Sequence, residues 1–570
     1  MSCRLFRPSV GLVACCCILI GAASRIHAQE RGLVTVSGSA TVSADVYSFS
    51  SNDSTQLPRR PSSLYRFIFT PTITIGDYIT LPFNIMLSSQ ETNVVTPNAK
   101  NSTFLQFIQN PMNNLGVLSF SPRIGWFQSY LGTHMPQYSE LSAGDEQIFG
   151  LGIDLTPGKF RFAASAGNAQ RAIEPDSING VRGAYARHIY MTKLGYGSEQ
   201  SFLHLNVVRA KDDVHSLRRR SADLLPQEGL LVTTNFRWGF SEALAVTGEI
   251  GSSAFTRDME ADLVDLNTPL PSSMFKHRMS TRADYAGTLA LSYADADWGV
   301  RVSSKYIGAG YVALGYPFMQ PDRLEFLLAP RVRFLDRKVN VNASIGHRTN
   351  NLSETKGATS TQIIGSANVL ALVTDELSFT MRYANFGMRN NLKNDTLKVE
   401  NVSNSFSIAP TLSLRGETVS HTITVSYSID AFTDYNVLSG AQSTNNTQGV
   451  MLMYLVSLSE LPLSVNLMGN HMTNDLPTGA LTINSIGAGV SSTLLDGRVS
   501  PSLNVSWTEN ALASFTADTQ TTVRAGVLWR ITEMLSFNTA LSLNNYLYGS
   551  SKPGASFDET FFEAAITTSF

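Results

Sequence analysis

Cysteine is missing from everything after residue 17: Cys3, Cys15, Cys16 and Cys17 are the complete set. The remaining chain can therefore form neither a disulfide framework nor a thiolate metal site, and thiol redox chemistry is excluded. After residue 28 there is also no apolar run that approaches the ~20 residues of a membrane helix. Charge is scarce as well. Asp, Glu, Lys and Arg make up 15% of the chain, against roughly 25% in soluble domains, while the apolar fraction of 43% is ordinary. The apolar residues must be dispersed by alternation, and lipid can then take the place of a charged surface. Catalytic signatures are missing too: there is no His-Glu-x-x-His, no phosphate loop and no Gly-x-Ser-x-Gly elbow. His134, His188, His204, His215, His277, His347, His421 and His471 are scattered singly, as loop or wall residues rather than metal ligands.

What the chain does have begins with residues 1–28, which read as a cleaved export signal. Arg4 and Arg7 precede an apolar run from Val10 to Ala23, and Ile26-His27-Ala28 offers a cleavage site before Gln29. Leu12-Val13-Ala14-Cys15 also fits a lipoprotein box, but the apolar run continues through Ile20, where a polar tether would be expected. Losing Arg4, Arg7 and Arg25 makes the formal charge of −2 more negative by three, so no polyanionic partner such as nucleic acid is expected.

From Val34 the pattern is one of strands. Val34, Val36, Ala40, Val42, Ala44 and Val46 alternate with polar residues, and Gly76-Asp77 reverses a hairpin. Further tight reversals fall near Trp126 and at Pro157-Gly158, Ser198-Glu199, Ser241-Glu242, Asp295 to Asp297, Asp336-Arg337, Thr374 to Glu376, Gly416-Glu417, Glu460 to Pro462, Asp496-Gly497 and Thr532-Glu533. A longer polar loop is expected between each pair of reversals. The reading is all-β: one membrane-spanning, antiparallel, up-and-down barrel over residues 29–570 with about 26 strands (24–28) and both termini periplasmic. No fixed repeat and no linker seam divides it, and closure removes the edges that so large an open sheet would expose.

The last strand carries a resemblance. Phe562, Ala564, Ile566 and Phe570 share one face, Glu563, Thr567 and Ser569 the other, and the chain stops on an aromatic. This resembles bacterial outer-membrane barrels, whose final strand commonly ends in Phe, and the resemblance implies that Phe562, Ile566 and Phe570 carry the signal read by the barrel-assembly machinery. Between about residues 110 and 172, Ser121-Pro122-Arg123, Leu131-Gly132 and Gly152 through Phe162 look like a set of large, porin-like outer-membrane proteins with no assigned activity. A TonB-dependent transporter is resembled only in its barrel, since no plug fits between residues 29 and 33.

Trp126, Trp238, Trp298 and Trp529 each lie near a tight turn on the face assigned to lipid, as an interfacial aromatic belt would. The opposite face gathers Arg66, Arg123, Arg161, Arg301, Lys305, Arg331, Arg333, Arg382, Arg524 and Arg530 beside fewer acids, chiefly Asp45, Glu249, Glu325 and Glu563. These charges either bias a wet lumen toward anions or pair across strands to hold the wall. Arg218 to Arg220 could meet lipopolysaccharide phosphates, and Asp258, Glu260, Asp262 and Asp265 read as a solvated acidic loop rather than a calcium loop. Two long connections carry apolar residues and are expected to fold inward or across the mouth. One holds Phe104, Phe107, Asn110 and Asn113, a candidate constriction; the other holds Leu263, Leu266, Leu270, Met274 and Phe275.

The function expected is a porin-like channel for passive passage of small polar or anionic solutes, with no cofactor or metal and with outer-membrane lipid and lipopolysaccharide around it. The alternative is a translocon or assembly scaffold housing or exporting a protein or lipid partner, which the barrel's size favours. A barrel-embedded hydrolase is the remote third reading.

Overall fold

The computed structural model describes residues 34–570 apart from residues 77, 90–115, 145, 177–179, 220–222, 265–274, 317–318 and 514. The export signal and the candidate constriction residues Phe104, Phe107, Asn110 and Asn113 lie outside the described residues.

The described chain forms one sheet closed on itself, an antiparallel barrel of 26 strands. Three strands are each built from two segments: Val34–Ser37 with Ser39–Ser51, Ser63–Phe69 with Thr72–Ile75, and Gly116–Phe120 with Arg123–Ile124. Every strand pairs with the next in sequence, and the last, Ser556–Ser569, pairs with Ser39–Ser51 from Ser39↔Ser569 through Ser51↔Phe557. Closure leaves no open edge, which makes so wide a sheet viable in lipid.

All twelve tight reversals fall where the turn chemistry places them. Left-handed backbone at Gly76 (φ 56°), Gly158 (φ 61°), Asp336 (φ 52°) and Asp496 (φ 53°) shows why Gly and Asp occupy them. The expected alternation with long loops holds less strictly. Leu463–Leu476 and Gly479–Ser492 are joined by Pro477-Thr478 alone, and only residues 513–517 separate Val499–Leu512 from Asp518–Arg530. Both ends of the described residues lie at the short-turn end, where Val34 pairs with Ile75 beside the Gly76 turn and Phe570 bonds to Gly38.

At the seam, Gly38 N–H donates to Phe570 O at 2.8 Å and Phe570 N–H donates to Gly38 O at 3.1 Å. A Cβ on Gly38 would stand 2.4 Å from Thr70 O, and its φ is 151°. Contact and backbone both require glycine here. Gly38→Val is expected to destabilise the seam by about 1–3 kcal/mol, seen as a lower temperature for loss of the compact barrel form on unheated gels; an unchanged transition would refute this.

Candidate functional site

The wall has two faces, set by the two-residue period of its strands. Tyr65, Leu151, Ile250, Val302 and Ile486 lie on one face and are all exposed. The opposite face carries Asp45, Glu249, Ile189, Val208, Leu231 and Ile307, which are buried.

Two connections cover that second face. Residues 135–147 leave the strand Phe127–His134, and residues 308–322 leave Trp298–Ile307. Tyr138, Leu141 and Ala143 of the first, with Tyr311, Ala313 and Leu314 of the second, form one buried cluster with Ile148, Ile189, Met191, Val208, Leu231, Phe255 and Ile307. A loop that starts beside Ile148–Leu155 and touches the wall as far as Trp298–Ile307 takes the chord across the concave side of a ring. Both connections are therefore folded into the barrel, and the face they cover is the inner one.

Polar bonds fix the first loop in place. The Leu141 N–H donates to both Glu249 carboxylate oxygens, at 3.3 and 3.2 Å. Glu249 is buried, and an unsolvated carboxylate without donors would be costly. The Tyr311 hydroxyl donates to Leu141 O at 2.7 Å, tying the two loops together, and the Tyr138 hydroxyl donates to Met191 O at 3.2 Å. Burial pushes the Tyr138 phenol up to about 12 and raises that of Tyr311, so both remain neutral donors. Ser139 and Thr233 share a hydroxyl bond at 3.0 Å, Lys193 Nζ donates to Gln137 O at 2.9 Å, and Lys305 pairs with Glu140. The second loop is held by the Ser253 hydroxyl, 2.8 Å from Val312 O, and by Gly310 N–H donating to Asp284 at 2.7 Å.

Beneath the first loop, toward the short turns, lies a cavity of about 410 Å³ whose lining includes Glu140, Glu249, Arg301, Lys305 and Glu325. Charges of both signs meet there. A neighbouring cavity of about 240 Å³ gathers Arg161, Lys193 and His204 with Asp154 and Glu199.

By register, the ten basic residues of the sequence reading all stand on the inner face. Arg66 is opposite Ser43, Arg301 opposite Ser292, Lys305 opposite Glu325, Arg382 opposite Ser407 and Arg524 opposite Ser542. Several are partnered: Arg66 with Asp45, Arg524 with Glu563 at 3.0 Å, and Arg301 with the Ser292 hydroxyl at 3.1 Å. Arg382 and Arg530 remain exposed. Further acids on the same face, Asp154 opposite Gln128 and Asp284 opposite Ser253, narrow the positive excess.

Trp238, Trp298 and Trp529 stand at the short-turn end on the outer face with 53%, 49% and 45% of their surface exposed, and Trp126, 56% exposed, sits at the same end in the turn between Arg123–Ile124 and Phe127–His134. Phe562 and Ile566 also point outward, and Phe570 packs beside Phe69 with ring centroids 6.2 Å apart. Arg218 and Arg219 donate their backbone N–H groups to Glu174 at 2.8 and 3.1 Å.

The expectation for the second apolar connection needs correcting at Phe275, while its Leu266, Leu270 and Met274 lie outside the described residues. Phe275, fully buried, packs against Leu230, Ala254 and Val207. Leu230 shares its parity with exposed Trp238, and Ala254 shares that of exposed Ile250, so Phe275 covers the outer wall rather than the lumen. Leu263 stays 62% exposed. The loops that do turn inward, 135–147 and 308–322, are not the two that the sequence pattern points to. Their signal was nevertheless present in Tyr311, Val312, Ala313 and Leu314, an apolar run between two strands.

No family model matches the chain, and no curated protein matches it. Among solved structures, the chain is similar to the translocation pore of the P pilus usher PapC (TM-score 0.37, 10% identity, covering 94% of this chain and 99% of that one). It is also similar to OccAB4 of Acinetobacter baumannii (TM-score 0.30, 11% identity, 65% and 97% covered) and to BauA, the ferric preacinetobactin receptor of the same organism (TM-score 0.38, 9% identity, 94% and 80% covered). At these scores and identities the likeness assigns neither an activity nor a location to the chain.

Proposed function

We propose that the chain is an outer-membrane channel for passive passage of small polar or anionic solutes. The observation that carries this reading is an asymmetry of the inner wall. Loops 135–147 and 308–322 cover the inner face from Ile148 to Ile307, whereas Asn368, Arg382, Met453 and Arg524, also of inner parity, stay exposed among the described residues. Such a lumen is narrowed on one side and lined on the other by the Asn368 amide and the Arg382 and Arg524 guanidinium groups, which suits hydrated solutes rather than catalysis.

In this reading residues 1–28 are removed on export. The Trp126, Trp238, Trp298 and Trp529 belt sits at the periplasmic interface with both termini, and the long loops face outward among lipopolysaccharide. A second reading, a scaffold or translocon filled by a partner, draws on the ring of 26 strands, which is wider than a barrel needs for small solutes alone. Purified protein in planar bilayers separates the two. A channel gives reproducible conductance with a reversal potential favouring anions, and Arg382→Glu lowers the anion-to-cation permeability ratio about twofold. A barrel that conducts nothing without a partner would favour the scaffold, and an unchanged ratio would remove Arg382 from the path.

A further inference from the structure

A third cavity, of about 350 Å³, opens at the long-loop end of the inner wall, beside residues 320 and 321 of the second inward loop. Arg323, Arg348, Lys356 and Gln362 line it, and the charged lining residues are all cations. Arg323 opens the strand Arg323–Phe334 and lies opposite Asn350, the end of Val339–Asn350, which puts the cavity at the rim. The nearby carboxylates are already committed. Glu325 pairs with Arg348 at 2.8 Å, and Asp322, 2% exposed, accepts from the Ser353 N–H at 3.0 Å and lies 3.5 Å from Lys356 Nζ.

Arg323 is the exception. Its Nε is buried and has no hydrogen-bond partner among the described residues. The Gln362 amide nitrogen is spent on the Met388 sulfur at 3.4 Å, a weak acceptor. A buried guanidinium nitrogen without an acceptor is costly, and an oxygen-rich anion would satisfy it.

We infer that this cavity binds a small oxyanion, a carboxylate or phosphate group, between Arg323, Lys356 and the Gln362 amide. A planar fork beside a point charge matches the paired oxygens of either group, and the volume falls in the range of small-ligand sites. At the rim, such a site would raise the local concentration of anionic solutes before they enter the narrowed lumen. Its role in transport rests on the channel reading, but its existence does not.

The test is a calorimetric titration of the purified full-length barrel in detergent at low ionic strength, with inorganic phosphate in one arm and succinate in the other. Saturable binding of at least one probe is expected, and the arm that binds identifies the oxyanion. Arg323→Gln should weaken it about tenfold and Lys356→Gln about threefold, while Arg337→Gln at the opposite, short-turn rim controls for overall charge and leaves it unchanged. Absence of saturable binding in both arms, or binding by Arg323→Gln equal to wild type, overturns the inference. Should Arg323→Gln fail to give a compact barrel, the exposed Lys356→Gln decides. Because no current is measured, a barrel that conducts nothing can still pass this test, and a conducting one can fail it.

Discussion

Phe570→Asp lowers the amount of folded barrel in the outer membrane about tenfold or more, while a barrel refolded from purified protein loses little stability. The two halves of this result have different physical origins. Phe570 sits at the short-turn rim, its backbone bonded to Gly38 and its ring against Phe69. A charge on the lipid face costs only about 0–1 kcal/mol near an interface, and the seam bonds are made by backbone atoms that the substitution keeps. The loss of an edge-tilted ring contact adds about 1 kcal/mol. A large cellular defect must therefore come from failed recognition of the last strand, not from a weak barrel. Phe562→Arg reverses the order: that residue lies mid-strand on the outer face, where an arginine costs about 2–4 kcal/mol, so refolding in vitro should suffer first. Surface levels of Phe570→Asp equal to wild type would remove the assembly role given to the terminal aromatic.

The positions of the strands were readable because two local signals agree. Alternation gives each strand its faces, and turns such as Asp496-Gly497 need left-handed backbone that few residue types adopt without strain. Strand number follows from counting such turns. The lumen was harder to read because direction is a tertiary property. An apolar run in a loop requires a cover and does not say on which side of the wall the cover lies. Phe275 found its cover outside, against Leu230 and Ala254, and Leu141 and Tyr311 found theirs inside. The wall itself held the answer. In Glu228–Gly239 the run Leu230, Leu231 and Val232 breaks the alternation, so both faces are apolar at that height. An apolar patch on a wet inner face predicts that something folds inward to cover it, as Leu141 and Tyr311 do here over Leu231, Met191 and Ile189.

Undocking the first inward loop should widen the channel more than any change to the basic wall. Leu141 has no exposed surface and is the loop's central anchor, its N–H on Glu249 and its carbonyl on Tyr311. Leu141→Ala removes a buried side chain at a cost of about 2–5 kcal/mol, and that cost falls on loop docking rather than on the barrel, whose ladder of strand pairs is untouched. Glu249, released from the loop, is rehydrated by lumen water, so no stranded carboxylate opposes the opening. Tyr311→Phe removes one bond of about 1 kcal/mol and should loosen the pair of loops without freeing either. Single-channel conductance is therefore expected to rise about twofold in Leu141→Ala and more when residues 137–144 are replaced by a short Gly-Ser linker, with smaller and noisier steps in Tyr311→Phe. Uptake of bulky antibiotics by cells carrying these variants should follow the same order. If conductance and uptake stay at wild-type values in the linker variant while its compact form is retained, loop 135–147 is not what narrows the path.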